Sequence, residues 1–199
     1  MTAIRVVVNG AYGKMGRTAI QGILGDPQLE LVGAVGRERG LGLDAGEAAG
    51  SERVGVAIEG DLAACLERVR PQGVGDFTLP AVVKDNIRTI LGAGAHAVVG
   101  TTGIAEGDLP LIQEWSQEAG KNVLVAPNFA IGAVLMIKFA REAVRYFPAV
   151  EIIEAHNPNK ADAPSGTAIK TAEAMQGARA ENPVVLSEEK IPGVRGGAL

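Results

Sequence analysis

His156 closes the run Glu151-Ile-Ile-Glu-Ala-His156, and Lys160 follows four residues later. Ala163-Pro-Ser-Gly-Thr167 then reads as the start of a helix. An imidazole titrates near neutral pH and can pass a proton. An ammonium group is a fixed cation. The first N–H groups of a helix lack intrahelical partners and attract anions. Together, His156, Lys160 and the Ser165–Gly166–Thr167 step suit a small carboxylate that must be held and protonated. In a strand alternate side chains share a face, so a strand over Val150–His156 puts Ile152, Glu154 and His156 on one side.

A second group of residues suits a different ligand. Gly10, Gly13 and Gly16 fall in Val8-Asn-Gly-Ala-Tyr-Gly-Lys-Met-Gly-Arg17, between an apolar strand and a helix. That context lets a backbone turn sharply beside a dinucleotide pyrophosphate, which then meets the helix N-terminus. The spacing is G-x-x-G-x-x-G, with Ala11 where the commoner pattern has its first glycine. A tight turn with no nucleotide is the plain alternative. At the end of the second strand, Arg37 and Arg39 suit a 2′-phosphate and Glu38 a ribose diol. The arginines favour NADPH, with NADH as the other option; solvated loop charges are the plain alternative.

Two further motifs stand at strand ends. Gly100-Thr101-Thr102-Gly103 offers hydroxyls and N–H groups. In Ala126-Pro127-Asn128-Phe129, Asn128 suits a carboxamide and Phe129 a ring. Open α/β sheets bind ligands at the carboxyl ends of their strands. Asp76-Phe77-Thr78 ends another strand, but Thr78 and Pro80 read mainly as the opening of the next helix.

The positioning elements follow from periodicity. Strands are expected at Ile4–Asn9, Leu29–Val35, Gly73–Phe77, His96–Gly100 and Asn122–Ala126. Helices are expected at Lys14–Leu24, Asp61–Val69, Pro80–Gly92 and Asp108–Ala119, with a loop from Gly36 to about Gly50. Met15, Ala19, Ile20 and Ile23 are expected near one helix face. Short apolar strands alternating with helices imply a doubly wound parallel sheet of Rossmann-like α/β class. After Pro127 the pattern changes to a long helix at Ile131–Tyr146, the Val150–His156 strand and a helix at Ser165–Met175. Residues 1–127 are therefore expected to bind a dinucleotide. Residues 128–199 form a smaller α+β domain for substrate and subunit contact.

Composition narrows the class. The chain has 199 residues and is 47% hydrophobic, enough for a globular core. A net charge of −4, with basic residues scattered, argues against nucleic acid. No apolar run approaches membrane-spanning length. Cys65 is the only cysteine, in the apolar stripe of a helix, and reads as a buried, inert thiol. No disulfide and no signal peptide at the N-terminus point to the cytoplasm. With His96 and His156 as the only histidines, no metal-ligand cluster is expected.

In order, Asn9-Gly-Ala-Tyr-Gly-Lys-Met-Gly-Arg17, Gly100-Thr-Thr-Gly103, Ala126-Pro-Asn-Phe129 and Glu154-Ala-His-Asn-Pro-Asn-Lys-Ala-Asp-Ala-Pro-Ser-Gly-Thr-Ala168 resemble the 4-hydroxy-tetrahydrodipicolinate reductase family of lysine and diaminopimelate biosynthesis. The resemblance spans nearly the whole chain. It implies reduction of 4-hydroxy-tetrahydrodipicolinate to tetrahydrodipicolinate by NADPH or NADH with loss of water. It also implies a Rossmann-like domain, a mixed-sheet substrate domain and a homo-oligomer, tetrameric in the family. By position it assigns Gly10, Ala11, Tyr12, Gly13, Lys14 and Met15 to the cofactor phosphates. Gly100, Thr101, Thr102 and Ala126, Pro127, Asn128, Phe129 then flank the nicotinamide, His156 and Lys160 are the catalytic pair, and Gly166 and Thr167 bind a carboxylate.

Two features depart from the family. Asn157 stands where a second histidine is usual; it can hydrogen-bond substrate but carries no charge. Family members also continue for several tens of residues beyond a segment like Glu189-Lys-Ile-Pro-Gly-Val-Arg-Gly-Gly-Ala-Leu199, so the second domain is expected to be incomplete. These motivate one alternative, a nucleotide-binding module or shortened paralogue without turnover. A dehydrogenase of an aspartate-derived aldehyde would need a cysteine at a strand end, where Cys65 does not stand.

Overall fold

A computed structural model describes residues 2–101, 104–126, 129–147, 149–156 and 163–178. The chain divides into two compact units, Met1–Ala126 and Pro127–Leu199.

The first unit carries six parallel strands: β1 (Ile4–Asn9), β2 (Leu29–Val35), β3 (Ile58–Glu59), β4 (Gly73–Asp76), β5 (His96–Val99) and β6 (Val123–Val125). Their spatial order is β3-β2-β1-β4-β5-β6. The order reverses between β1 and β4, which pair from Val6 with Gly73 to Asn9 with Asp76. A doubly wound sheet opens a ligand crevice at such a reversal, beyond the carboxyl ends of its strands. Helices of this unit are α1 (Lys14–Leu24), α2 (Ala45–Ala48), α3 (Leu62–Val69), α4 (Pro80–Gly92) and α5 (Leu109–Ala119).

Both faces of the sheet are covered, which is why its strands are apolar throughout rather than alternating. Successive β1 residues show it. Val7 packs with Leu66 of α3 and Ile87 and Ile90 of α4. Val8 packs with Ile20 of α1, Ala45 and Ile58. Each buried aliphatic side chain contributes about 1.5–3 kcal/mol relative to exposure. Of the residues expected on the inner face of α1, Ile20 is buried but Met15 is 43% exposed. Helical rotation instead puts Gly16 and Ile20 on the inner face and turns Met15 outward.

Three further expectations differ from the structure. The stretch read as a loop from Gly36 to Gly50 contains α2, and β3 follows it. Asp44 is the reason. It caps α2 through Gly46 and Glu47 N–H at 2.9 and 3.2 Å, and accepts Val54 and Gly55 N–H at 3.1 and 2.7 Å. Burial pushes the Asp44 carboxyl up, but the four N–H bonds together hold it below its ordinary value.

In the second unit, α6 covers Ile131–Ala143 and α7 covers Gly166–Gln176. The helix expected to reach Tyr146 ends earlier, with Val144 as its cap and Tyr146 N–H bonding Ala143 O at 2.9 Å. The strand expected over Val150–His156 does not form among the described residues. A strand exists through its ladder, and no described segment pairs with this one.

Candidate active site

Gly10 follows β1 with φ +85°, a left-handed conformation open to glycine. A Cβ there would lie 2.5 Å from the carbonyl oxygen of Phe77. A Cβ on Gly16 would collide with the carbonyl of Gly10. These two glycines let α1 descend directly onto the β1–β4 boundary. Gly10 and Ala11 N–H both donate to Val35 O at 2.9 Å, tying the turn to β2. Ala11 itself is fully buried. Gly13 is the N-cap of α1, and no side chain caps that helix. The first helical N–H groups, at Lys14 and Met15, therefore face a place where an anion fits.

Tyr12 extends the turn sideways. Its ring lies against Gly40, which has φ +83°. The Arg17 guanidinium sits 5.7 Å from the ring centroid. Tyr12 thus packs the glycine turn against the loop after β2, where Arg37, Glu38 and Arg39 are exposed.

On the other side of the turn, Met15, Phe77, Thr78, Leu79, Pro80, Gly100 and Thr101 line a cleft of about 250 Å³. It lies at the carboxyl ends of β4 and β5. Thr101 is buried, and its hydroxyl donates to Asp76 Oδ1 at 2.9 Å. That hydroxyl, expected to face a ligand, instead shapes the wall. Phe77, expected to end the fourth strand, and Thr78, read mainly as the opening of the next helix, belong to the lining. Thr102, Pro127, Asn128, Asn157 and Lys160 lie outside the described residues. Ala126 N–H bonds Val99 O at 2.9 Å, which fixes the end of β6. Phe129, in the second unit, is 44% exposed.

The second unit gathers its described site residues around a carboxylate that sequence reading gave no role. Glu154 accepts the Ser165 N–H on both oxygens at 3.1 Å and the Ser165 hydroxyl on Oε2 at 2.5 Å. Its Oε1 lies 3.8 Å from His156 Nδ1. Ser165 is buried, and its oxygen caps α7 by accepting Ala168 N–H at 3.1 Å. Glu154 therefore links the histidine to the helix start, where Gly166 is exposed and Thr167 half-buried. The available signal was spacing: Glu154 stands two residues before His156. Elsewhere, Cys65 is fully buried. Burial, then the nearby Glu59, pushes its thiol up, with Arg68 opposing. Such a thiol is a poor nucleophile.

Strand order, crevice, glycine turn and uncapped α1 together define a dinucleotide-binding α/β fold. Comparison with known proteins makes the assignment specific. The family profile described as "Dihydrodipicolinate reductase, N-terminus" matches residues 4–129, and its C-terminal counterpart matches residues 132–199. The 4-hydroxy-tetrahydrodipicolinate reductase of Syntrophomonas wolfei is 46% identical over 197 residues, covering 98% of this chain and 74% of the relative. That of Moorella thermoacetica is 46% identical over 198 residues, covering 98% and 73%. The solved dipicolinate-bound dihydrodipicolinate reductase from Paenisporosarcina sp. TG-14 superposes with a TM-score of 0.76 at 34% identity, covering 98% of this chain and 75% of that one. The chain belongs to the dihydrodipicolinate reductase family, and it is an NAD(P)H-dependent oxidoreductase. It spans about three quarters of the length of these relatives.

Proposed function

We propose that the chain reduces 4-hydroxy-tetrahydrodipicolinate to tetrahydrodipicolinate with loss of water, in lysine and diaminopimelate biosynthesis. Family membership supports the reaction. The observation that carries the residue assignment is Glu154 bonded to Ser165 and adjoining His156, which joins a proton carrier to a carboxylate-binding helix start.

The first unit fits the cofactor. The open N-terminus of α1, with Gly10, Gly13, Lys14 and Met15, holds the pyrophosphate. Tyr12 and Arg37 lie on the ribose side; Arg37 and Arg39 favour a 2′-phosphate and hence NADPH, with NADH also accepted. The cleft of Phe77, Thr78, Gly100 and Thr101 takes the nicotinamide, with Thr102 and Ala126–Phe129 assigned to the same ring. When bound, NAD(P)H supplies a hydride to the ring carbon of the substrate.

The second unit handles the acid. Gly166 and Thr167 N–H groups bind one substrate carboxylate, and Lys160 neutralises charge there. Asn157 donates a hydrogen bond. His156 gives a proton to the substrate as it gains the hydride, and Glu154 adjoins the imidazole, its Oε1 3.8 Å from Nδ1. Residues 1–127 and 128–199 thus divide cofactor from substrate. A homo-oligomer in the cytoplasm completes the reading. The test is oxidation of NADPH and NADH by this chain with and without the cyclic substrate. Substrate-dependent oxidation is expected; nucleotide binding with no such oxidation would leave only a binding module.

A further inference from the structure

Asp76 is fully buried, yet it ends β4 immediately before the cleft-lining residues Phe77, Thr78 and Leu79. Its Oδ1 accepts the Thr78 N–H at 3.2 Å, the Thr78 hydroxyl at 2.7 Å and the Thr101 hydroxyl at 2.9 Å. Its Oδ2 accepts the side-chain amides of Asn9 at 2.9 Å and Asn86 at 2.8 Å. Asn86 also donates to the Thr78 hydroxyl oxygen at 3.0 Å, so that hydroxyl is committed as a donor towards Asp76. One carboxylate thereby ties β1, α4 and the loops after β4 and β5 around a single point.

All five donors are neutral. Among the described residues no lysine or arginine pairs with Asp76. Dipoles satisfy a buried carboxylate but do not cancel its charge, and the field of a buried charge is weakly screened. That charge sits one hydrogen bond behind Thr78 and Thr101, which form the cleft wall. A nicotinamide ring is neutral when reduced and cationic when oxidised. A fixed negative charge behind the wall therefore favours the ring as it loses its hydride.

We propose that Asp76 is a positioning residue with an electrostatic role. It fixes the Thr78 and Thr101 edges of the cleft, and its charge biases the site towards the oxidised cofactor. The inference rests on the reading of this cleft as the nicotinamide site. It concerns no contact between Asp76 and substrate.

The experiment is direct titration of NADP⁺ and NADPH into wild type, Asp76→Asn and Asn86→Ala. Asp76→Asn replaces the charge with a neutral group of the same shape. It should weaken NADP⁺ about fivefold more than NADPH. Asn86→Ala keeps the charge, removes one compensating dipole and places the best helix former in α4. It should move the ratio of the two dissociation constants the opposite way, by about twofold. A purely structural hub would weaken both forms by one factor. Equal weakening in Asp76→Asn overturns the proposal. A shift in Asn86→Ala of the same sign, or none, also overturns it. If Asp76→Asn fails to fold, the sign of the Asn86→Ala shift decides alone. Failure of wild type to bind either nucleotide would remove the cofactor site itself, a result distinct from an unmoved ratio.

Discussion

Asp76 and Glu154 are carboxylates in different units, and each gathers donors around a site. Asp76 is fully buried and holds five donors on two oxygens. The Glu154 side chain is 28% exposed and reaches a buried serine and a half-exposed histidine. The first arrangement builds a rigid wall, because every partner sits in a packed strand, helix or loop. The second leaves a titratable group partly in solvent. On the proposed reading, the difference follows the work. A cofactor site must hold a large ligand in one pose, whereas a proton carrier must exchange protons with its surroundings.

That contrast can be broken first at the glycine turn. Gly10→Val places a side chain on a left-handed backbone and into the Phe77 carbonyl. Nucleotide affinity, read by titration, should fall at least about a hundredfold, because α1 can no longer seat at the crevice. Unchanged affinity would remove the turn from the cofactor site.

Glu154→Gln comes next. The amide oxygen can still accept from Ser165, but the charge beside His156 is gone. We expect kcat to fall about tenfold while nucleotide dissociation constants stay within about twofold. Stopped-flow and titration together check this. A change in nucleotide affinity would erase the division between the units.

Asp44 sharpens the contrast from the stability side. Asp44→Ala leaves several N–H groups without their acceptor and should cost about 1–2 kcal/mol in urea unfolding at pH 7. The folded carboxyl lies below its ordinary value. Its contribution is therefore present above the unfolded pKa and lost as pH falls through the folded one. The stability gap between wild type and Asp44→Ala should narrow as pH falls below the ordinary carboxylate range. A gap that stays constant through that fall would contradict the assignment.

A last check, outside both sites, concerns Cys65. Its buried, up-shifted thiol should react with iodoacetamide only after local opening, at least about a hundredfold slower than a free thiol at pH 8. Fast labelling would show the α3 packing to be loose.

The two units also differed in how openly the sequence displayed them. Strands such as Ile4–Asn9 and Leu29–Val35, and helices such as Lys14–Leu24 and Pro80–Gly92, show their bounds because apolar period and flanking Gly or Pro agree. α2 and β3 were hidden, since α2 is a single turn held by its Asp44 cap and β3 is two residues paired with β2, too short for either to show an apolar period. The Val150–His156 run looked like a strand from composition, but pairing is a tertiary property. Within the site, the glycine spacing and the Pro-Ser-Gly-Thr step were legible. Asp76 was not, because a lone carboxylate at a strand end reads as a turn residue until Asn9, Asn86 and Thr101 converge on it. Glu154 was visible only as a same-face neighbour of His156.

In the proposed function, a cofactor site in the first unit and a proton carrier in the second divide the chemistry. The most direct measurement is single-turnover oxidation of bound NADPH by 4-hydroxy-tetrahydrodipicolinate in wild type and in His156→Ala with Lys160→Ala, alongside NADPH titration of both. The double variant should bind NADPH within about twofold of wild type and oxidise it about a thousandfold more slowly. Turnover near the wild-type rate in that variant would contradict the account.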